Sequence, residues 1–198
     1  VSADSLAAFR EPVRRWFQDE LGTPTPAQDL AWPAIGSGEH TLVLAPTGSG
    51  KTLAAFLVAL DHILFEAPPR QADRCRVLYV SPLKALAVDI ERNLHAPLAG
   101  ITSAARDLGG SVHAPEIAVR TGDTPGRERQ RFARRPADIF ITTPESFYLV
   151  LTSAAREALR SVQWVIVDEI HAMVGTKRGT HLSLSLERLE DLAPGYQR

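Results

Sequence analysis

The sequence predicts an α/β fold: a mainly parallel sheet with helices on both of its faces. Three observations lead there. Short β-branched, apolar runs recur along the chain, stretches with helical spacing separate them, and a glycine-rich turn joins the first run to a helix. Strands alternating with crossover helices make parallel sheets, and strands buried on both faces read as nearly continuous apolar runs.

The elements follow in order. The runs are "HTLVLA" (40–45), "RVLYVS" (76–81), "EIAVRT" (116–121), "DIFITT" (138–143) and "WVIVDE" (164–169), each of strand length. "KTLAAFLVALDHILF" carries helical spacing, as does "PLKALAVDIERNLHAPL". "PESFYLVLTSAAREALR" opens on Pro144, which a first helical turn tolerates. "EAPPRQAD" (66–73) is the clearest loop, and "GTHLSLSLERLEDL" reads as a last helix. No internal repeat or linker interrupts the 198 residues, so one domain over 1–198 is expected.

Composition narrows the classes. An apolar share of 44% and a charged share of 23% are those of an ordinary globular protein. A net charge of -1 supplies no global basic field, so a nucleic-acid partner would need a local surface. Cys75 is the sole cysteine, which excludes an intrachain disulfide and a zinc cluster, and its apolar setting reads as core. No stretch is long and apolar enough to span a membrane, and no signal peptide opens the chain, so a reducing, cytoplasmic setting is expected.

"LVLAPTGSGKTLAAF" holds the strongest motif. A phosphate-binding loop usually opens on glycine, but that position is Ala45; Gly50-Lys51-Thr52 closes the pattern as required. The opening residue only makes the turn out of the strand, so Ala45 with Pro46 serves. Gly48 and Gly50 supply unusual backbone angles, and the N–H groups of Thr47, Gly48, Ser49, Gly50, Lys51 and Thr52 can cradle phosphates at a helix N-terminus. Lys51 would reach the β/γ-phosphates, and the Thr52 hydroxyl would ligate Mg²⁺. The bland alternative is a chance glycine-rich turn between a strand and a helix.

"VIVDEIH" places Asp168 and Glu169 at the end of an apolar strand, where open parallel sheets bind ligands. Asp168 would hold Mg²⁺, and Glu169 would orient the water that attacks the γ-phosphate of ATP. A solvated turn or helix cap is the bland alternative; the upstream loop weighs against it. His171 is a candidate for a coupling role or a surface histidine.

"APTGSGKT" with "DEIH" resembles motifs I and II of the superfamily-two DExH-box helicases, whose motor is two RecA-like lobes. "GTPTPAQ" (22–28) resembles the Q motif, implying that Gln28 reads the adenine edge. "SPLKALAVD" resembles motif Ia, and "TGDT" and "TTPESF" resemble the motifs that grip the nucleic-acid backbone. "PLKALA", "TPES" and "DEIHAMVGTKRGTHLSLSLERL" are similar to the large helicase-related (Lhr) family rather than to DEAD-box RNA helicases. That resemblance implies a RecA-like P-loop NTPase lobe of an ATP-dependent DNA helicase moving 3′ to 5′ on single strands, associated with DNA repair. It implies a lobe ending before motif III, with a second RecA-like lobe supplying the transition-state arginines. Trp16 and Phe17 are both candidates for the aromatic that stacks on the base.

Parallel topology puts the loops at strand C-termini on one edge, so Ser81, Pro82, Lys84, Thr121, Gly122, Thr124, Thr143, Pro144 and Ser146 can line a single-strand track. Turn and cap chemistry uses the same residue types. "RTGDTPGRERQRFARR" (120–135) is the most basic stretch, readable as a phosphate strip or as solvated surface, and "TKRG" (176–179) is similar in kind. These loops do not distinguish sugars, so an RNA or RNA–DNA hybrid partner, and a DExH-type RNA helicase lobe, stay open. A transporter motor would need an "LSGGQ"-type stretch, which the chain lacks. A passive binding module would not need Lys51, Thr52, Asp168 and Glu169.

Overall fold

Four parallel strands, β1 (Val77–Val80), β2 (Ile117–Arg120), β3 (Ile139–Thr142) and β4 (Trp164–Val167), form a sheet in the order β2-β3-β1-β4. They belong to a computed structural model that describes residues 5–198; the first four residues of the expected 1–198 lobe lie outside the described ones. The chain divides into two compact units. The first holds the chain up to Ala67, Leu94–Ala114 and Arg198; the second holds Pro68–Asn93 and Pro115–Gln197.

The sheet lies in the second unit with α5 (Gly126–Arg134), α6 (Pro144–Leu151) and α7 (Lys177–Leu192). Leu78, Val80, Phe140 and Val165 share a core with Phe132 of α5, Phe147 and Val150 of α6, and Leu182 and Leu189 of α7. Phe132 stacks on Phe140 with ring centroids 4.1 Å apart. The alternate strand residues Val77, Tyr79, Ile139 and Ile141 are fully buried too, as the unbroken apolar runs require. Cys75 is buried, and burial pushes its thiol pKa up, so it is an inert core residue as expected.

The first unit is helical: α1 (Glu11–Leu21), α2 (Pro26–Gly36), α3 (Lys51–Phe65) and the C-terminal part of α4 (Lys84–Asp107). Its core includes Trp16, Phe17 and Trp32, with edge-to-face contacts linking Phe9, Trp32, Phe17 and Trp16. Trp16 packs so closely on α4 that a Cβ at Gly100 would meet its ring at 2.2 Å. Both aromatics considered for base stacking are therefore core residues. Asp61 of α3 is buried and accepts from Arg10 Nη1 at 2.6 Å, pinning the start of α1. Burial raises the Asp61 pKa against the pull of Arg10.

Two expectations are corrected. Residues 40–45 form no strand; Leu42 and Leu44 are 69% and 83% exposed, and the Thr41 N–H donates to the Arg198 carbonyl at 2.8 Å. A strand needs a partner for its backbone groups along its length, and the apolar run alone does not provide one. The helix expected over 144–160 stops at Leu151 and resumes as a 3-10 turn over Ala154–Leu159. Thr152 bonds back to the Tyr148 carbonyl and Ser153 caps Ala155, hydroxyl contacts that compete with helix propagation.

Asp138, fully buried, opens β3: its Oδ2 accepts from Glu116 N–H at 2.9 Å, with Arg74 Nη1 at 3.5 Å and Arg76 Nη2 at 3.9 Å from its carboxylate. Asp138→Ala should remove the carboxylate beside the buried Arg76 and lower stability by about 3 kcal/mol. Urea denaturation checks this; an unchanged midpoint would mean that the cluster adds nothing to the fold.

Candidate nucleotide and strand sites

In the first unit the phosphate loop runs into α3 through two left-handed glycines, Gly48 at φ 81° and Gly50 at φ 77°. The α2 N-terminus clasps it. Thr25 caps α2 in a reciprocal capping box: Gln28 N–H donates to Thr25 Oγ1, and Thr25 N–H donates to Gln28 Oε1 at 2.9 Å. Thr25 Oγ1 also donates to the Ser49 carbonyl at 2.7 Å, and Gln28 Nε2 to the Gly50 carbonyl at 3.4 Å. Gln28 is buried, and a Cβ at Gly50 would stand 2.5 Å from its Nε2, so Gly50 is needed for space as well as for φ. The T-x-x-Q spacing of Thr25 and Gln28 is the sequence signal of this capping box.

Lys51, first residue of α3, points its ammonium at the loop's own carbonyls, those of Ala45 and, at 2.8 Å, Pro46. Thr47 and Gly48 are exposed; Ser49, Gly50, Lys51 and Thr52 are half-buried. Ser49 Oγ is buried without a hydrogen-bond partner among the described residues, a polar atom of the kind a phosphate oxygen satisfies. The left-handed glycines, this hydroxyl and the ammonium at a helix N-terminus fit a nucleotide phosphate chain.

In the second unit Asp168 follows β4, and its N–H donates to the Val80 carbonyl at 3.0 Å. Tyr79, fully buried on β1, donates its hydroxyl to Asp168 Oδ2, while Glu169 N–H donates to Oδ1 at 2.8 Å. Burial and that hydrogen bond push the Tyr79 pKa up, keeping the phenol protonated as a donor. Asp168 thus has one bond to each oxygen and lone pairs left, a hard oxygen ligand suited to Mg²⁺. No sequence signal marks Tyr79, which looks like any strand residue.

Glu169 is the one described non-glycine residue at positive φ, 48°. That conformation costs roughly 1–3 kcal/mol, and residues that bear it cluster at active sites, ligand clamps and switch regions. Glu169 Oε2 lies 3.2 Å from His171 Nε2 on the following 3-10 turn, so the acidic pair and His171 are brought together.

The strand-track candidates divide. Ser81, Thr143 and Ser146 are buried; Ser81 donates to the Leu83 carbonyl, and the Thr143 hydroxyl caps α6 by accepting from Ser146 N–H. Pro82 and Pro144 are buried beside them. Thr121 is buried and Thr124 half-buried, and they cross-brace the "TGDT" turn: Thr121 N–H donates to Thr124 Oγ1 at 2.9 Å. Gly122 is exposed, and its carbonyl accepts from Arg129 Nη2 at 2.8 Å, with Arg129 Nε on the Thr124 carbonyl at 2.7 Å. Arg129 of the basic stretch therefore organises this turn. Exposed Lys84 pairs with Asp123 at 2.7 and 2.8 Å.

The sequence profile of the DEAD/DEAH box helicase family matches residues 25–198. The chain is 56% identical over 191 residues to the Lhr helicase/probable uracil glycosylase of Mycolicibacterium smegmatis, covering 96% of this chain and 12% of that protein. It is 51% identical over 189 residues to the Lhr helicase/uracil glycosylase of Escherichia coli K12, covering 93% of this chain and 12% of that protein. The chain therefore spans about an eighth of the length of these relatives. Its fold matches the structure of Mycobacterium smegmatis helicase Lhr bound to ssDNA and AMP-PNP with a TM-score of 0.93 at 55% identity, over 99% of this chain and 25% of that one. The α/β parallel-sheet class is borne out.

Gly50→Ala should weaken binding of a fluorescent adenine nucleotide and lower the unfolding midpoint, because a left-handed alanine costs about 1–2 kcal/mol and its Cβ displaces Gln28. Nucleotide titration beside thermal unfolding checks this. Normal binding with a normal midpoint would show that the loop tolerates another backbone path.

Proposed function

The chain belongs to the DEAD/DEAH box helicase family, and on that premise we propose that it is the first, ATP-binding RecA-like lobe of an Lhr-type DNA helicase that moves 3′ to 5′ on single strands. The observation that carries this reading is the phosphate loop, with its two left-handed glycines held by the Thr25–Gln28 capping box. The likeness to an Lhr structure bound to ssDNA and AMP-PNP supports the same nucleotide and strand classes here. A second RecA-like lobe supplying transition-state arginines completes the motor, since such an arginine is worth roughly 10³–10⁵ in rate.

Each site residue then has a task. The N–H groups from Thr47 to Thr52 hold phosphate oxygens, Lys51 leaves its loop carbonyls for the β/γ-phosphates, and Gln28 offers the adenine edge the amide N–H and lone pair that its capping box and the Gly50 carbonyl leave over. Thr52 in the first unit and Asp168 in the second are each the kind of oxygen ligand that Mg²⁺ would take, and the bound ion would neutralise charge on phosphate oxygens. Tyr79 keeps the Asp168 carboxylate aimed. Glu169 orients the attacking water, and His171, paired with it, couples the acid to nucleotide state. The loops carrying Ser81, Pro82, Lys84, Thr121, Gly122, Thr124, Thr143, Pro144 and Ser146 hold the strand by its backbone. Among the described residues no helix is long and apolar enough to cross a membrane. We place the protein in DNA repair on the Lhr resemblance, and in a reducing, cytoplasmic setting on its single cysteine.

Lys51→Ala in the full-length protein should abolish ATP hydrolysis while leaving the unfolding midpoint nearly unchanged. Glu169→Gln should keep Mg·ATP binding and lose turnover by at least a hundredfold, roughly the size of a lost acid–base function. Steady-state ATPase and nucleotide titration separate the two; turnover in either variant would remove the assigned role.

Single-strand affinity should fall steeply with salt and vary little with base sequence. Lys84→Ala should weaken binding to all sequences alike, and Asp123→Asn, which frees Lys84, should strengthen it. Anisotropy titrations with DNA and RNA strands measure both. Tighter binding of RNA would turn the reading to an RNA helicase lobe, and a flat salt response would remove the track.

A further inference from the structure

Arg178 stands second in α7, in the "TKRG" stretch whose composition alone reads as phosphate-binding or solvated surface. Its guanidinium makes three hydrogen bonds through two of its nitrogens. Nε donates to Glu145 Oε1 at 2.6 Å, Nη2 to Glu145 Oε2 at 3.2 Å, and Nη2 also to the Pro82 carbonyl at 2.7 Å. Glu145 lies in the first turn of α6, after β3; Pro82 lies in the loop after β1; α7 follows β4 and the acidic pair. The strands β3, β1 and β4 are consecutive in the sheet, so one side chain joins the outlets of three neighbouring strands.

The turn that presents Arg178 is itself held tightly. Thr176 caps α7 by accepting from Gly179 N–H at 3.2 Å and donates its hydroxyl to the Met173 carbonyl at 2.7 Å. A Cβ at Gly179 would meet that same carbonyl at 2.3 Å, so this turn packs against the segment after the acidic pair with no room for a side chain. The Arg178 and Glu145 side chains are 42% and 53% exposed, and a pair so placed adds little to overall stability. Its use lies in geometry, because a planar guanidinium fixes the direction of each bond it makes. The hydrogen bond from Arg178 also holds the Glu145 carboxyl below its ordinary pKa.

We propose that Arg178 is a positioning residue for strand binding: it sets the spacing between the Ser81–Lys84 and Thr143–Ser146 loops and ties both to the turn after Asp168–Glu169. The proposal rests on the strand-track reading above. Arg178 itself does not touch the strand; its donors are directed to Glu145 and Pro82, and the loops it spaces make the contacts.

The test uses the full-length protein with a fluorescent oligothymidylate, titrated over a range of salt. Arg178→Gln and the isosteric Glu145→Gln should each weaken strand binding about tenfold, with the slope of log affinity against log salt unchanged. The double variant should be no weaker than Arg178→Gln alone, since that change already removes the Glu145 contact. In strand-stimulated ATPase the strand concentration giving half-stimulation should rise about tenfold, while turnover at saturating strand stays within about twofold. Arg178→Lys should not restore affinity, because an ammonium cannot bridge two carboxylate oxygens and a carbonyl in this way. A salt slope reduced by about one, with affinity restored in Arg178→Lys, would identify a direct phosphate contact and overturn the proposal. Unchanged affinity in Glu145→Gln would also overturn it. Failure of the unsubstituted protein to bind strands would sink the track reading and this inference with it, whereas binding by the unsubstituted protein keeps the two distinguishable.

Discussion

Val80 lies opposite Thr142 on one side and Val167 on the other, and Arg120 lies opposite Thr142. The four strands of the second unit therefore end level, and its chemistry depends on that register. Parallel strands deliver all their C-terminal loops to one edge, spaced by the roughly 4.8 Å of the ladder. Sequence positions as distant as Pro82, Thr121, Glu145 and Asp168 become neighbours along that edge. A one-residue slip would reverse which side chains face the Phe132–Phe147 core, so the apolar pattern and the site geometry are fixed together.

The charges on this edge are assigned in pairs. Arg129 is spent on the Gly122 and Thr124 carbonyls, Arg178 on Glu145 and Pro82, and Lys84 on Asp123. Both arginines brace main-chain carbonyls, Arg178 while also paired with Glu145, which a planar fork does well, whereas the lysine makes only an exposed ion pair that a phosphate can replace. Counting basic residues could not separate these uses. The basic stretch is a scaffold for the "TGDT" turn before it is a surface for a ligand.

The acidic pair shows the same division of labour. Asp168 is fixed from below by the Tyr79 hydroxyl and from the side by the Glu169 N–H, so its carboxylate is oriented before any ligand arrives. Glu169 bears the left-handed backbone that this arrangement requires. A glycine there would relieve the strain but discard the carboxylate. The phosphate loop meets the same demand differently, with Gly48 and Gly50 adopting positive φ freely and Ala45 needing none.

The sequence by itself determined what is local. α3 runs over Lys51–Phe65, the full length of the stretch read as a helix, because a helix closes its hydrogen bonds within its own segment. The phosphate loop, the acidic pair at a strand end and the parallel class were legible for similar reasons: fixed spacings and runs of one residue type. Only the tertiary structure decided what is pairwise. Residues 40–45 carry a strand's composition and form none, since a strand exists only beside a partner. Tyr79 and Arg178 acquired their roles from residues 89 and 96 positions away, Asp168 and Pro82. Trp16 and Phe17 could have been read as ligand-stacking aromatics until packing against Trp32 and α4 placed them in the core. Composition records which groups a chain carries; the register of the sheet and the packing of the helices settle which of them meet.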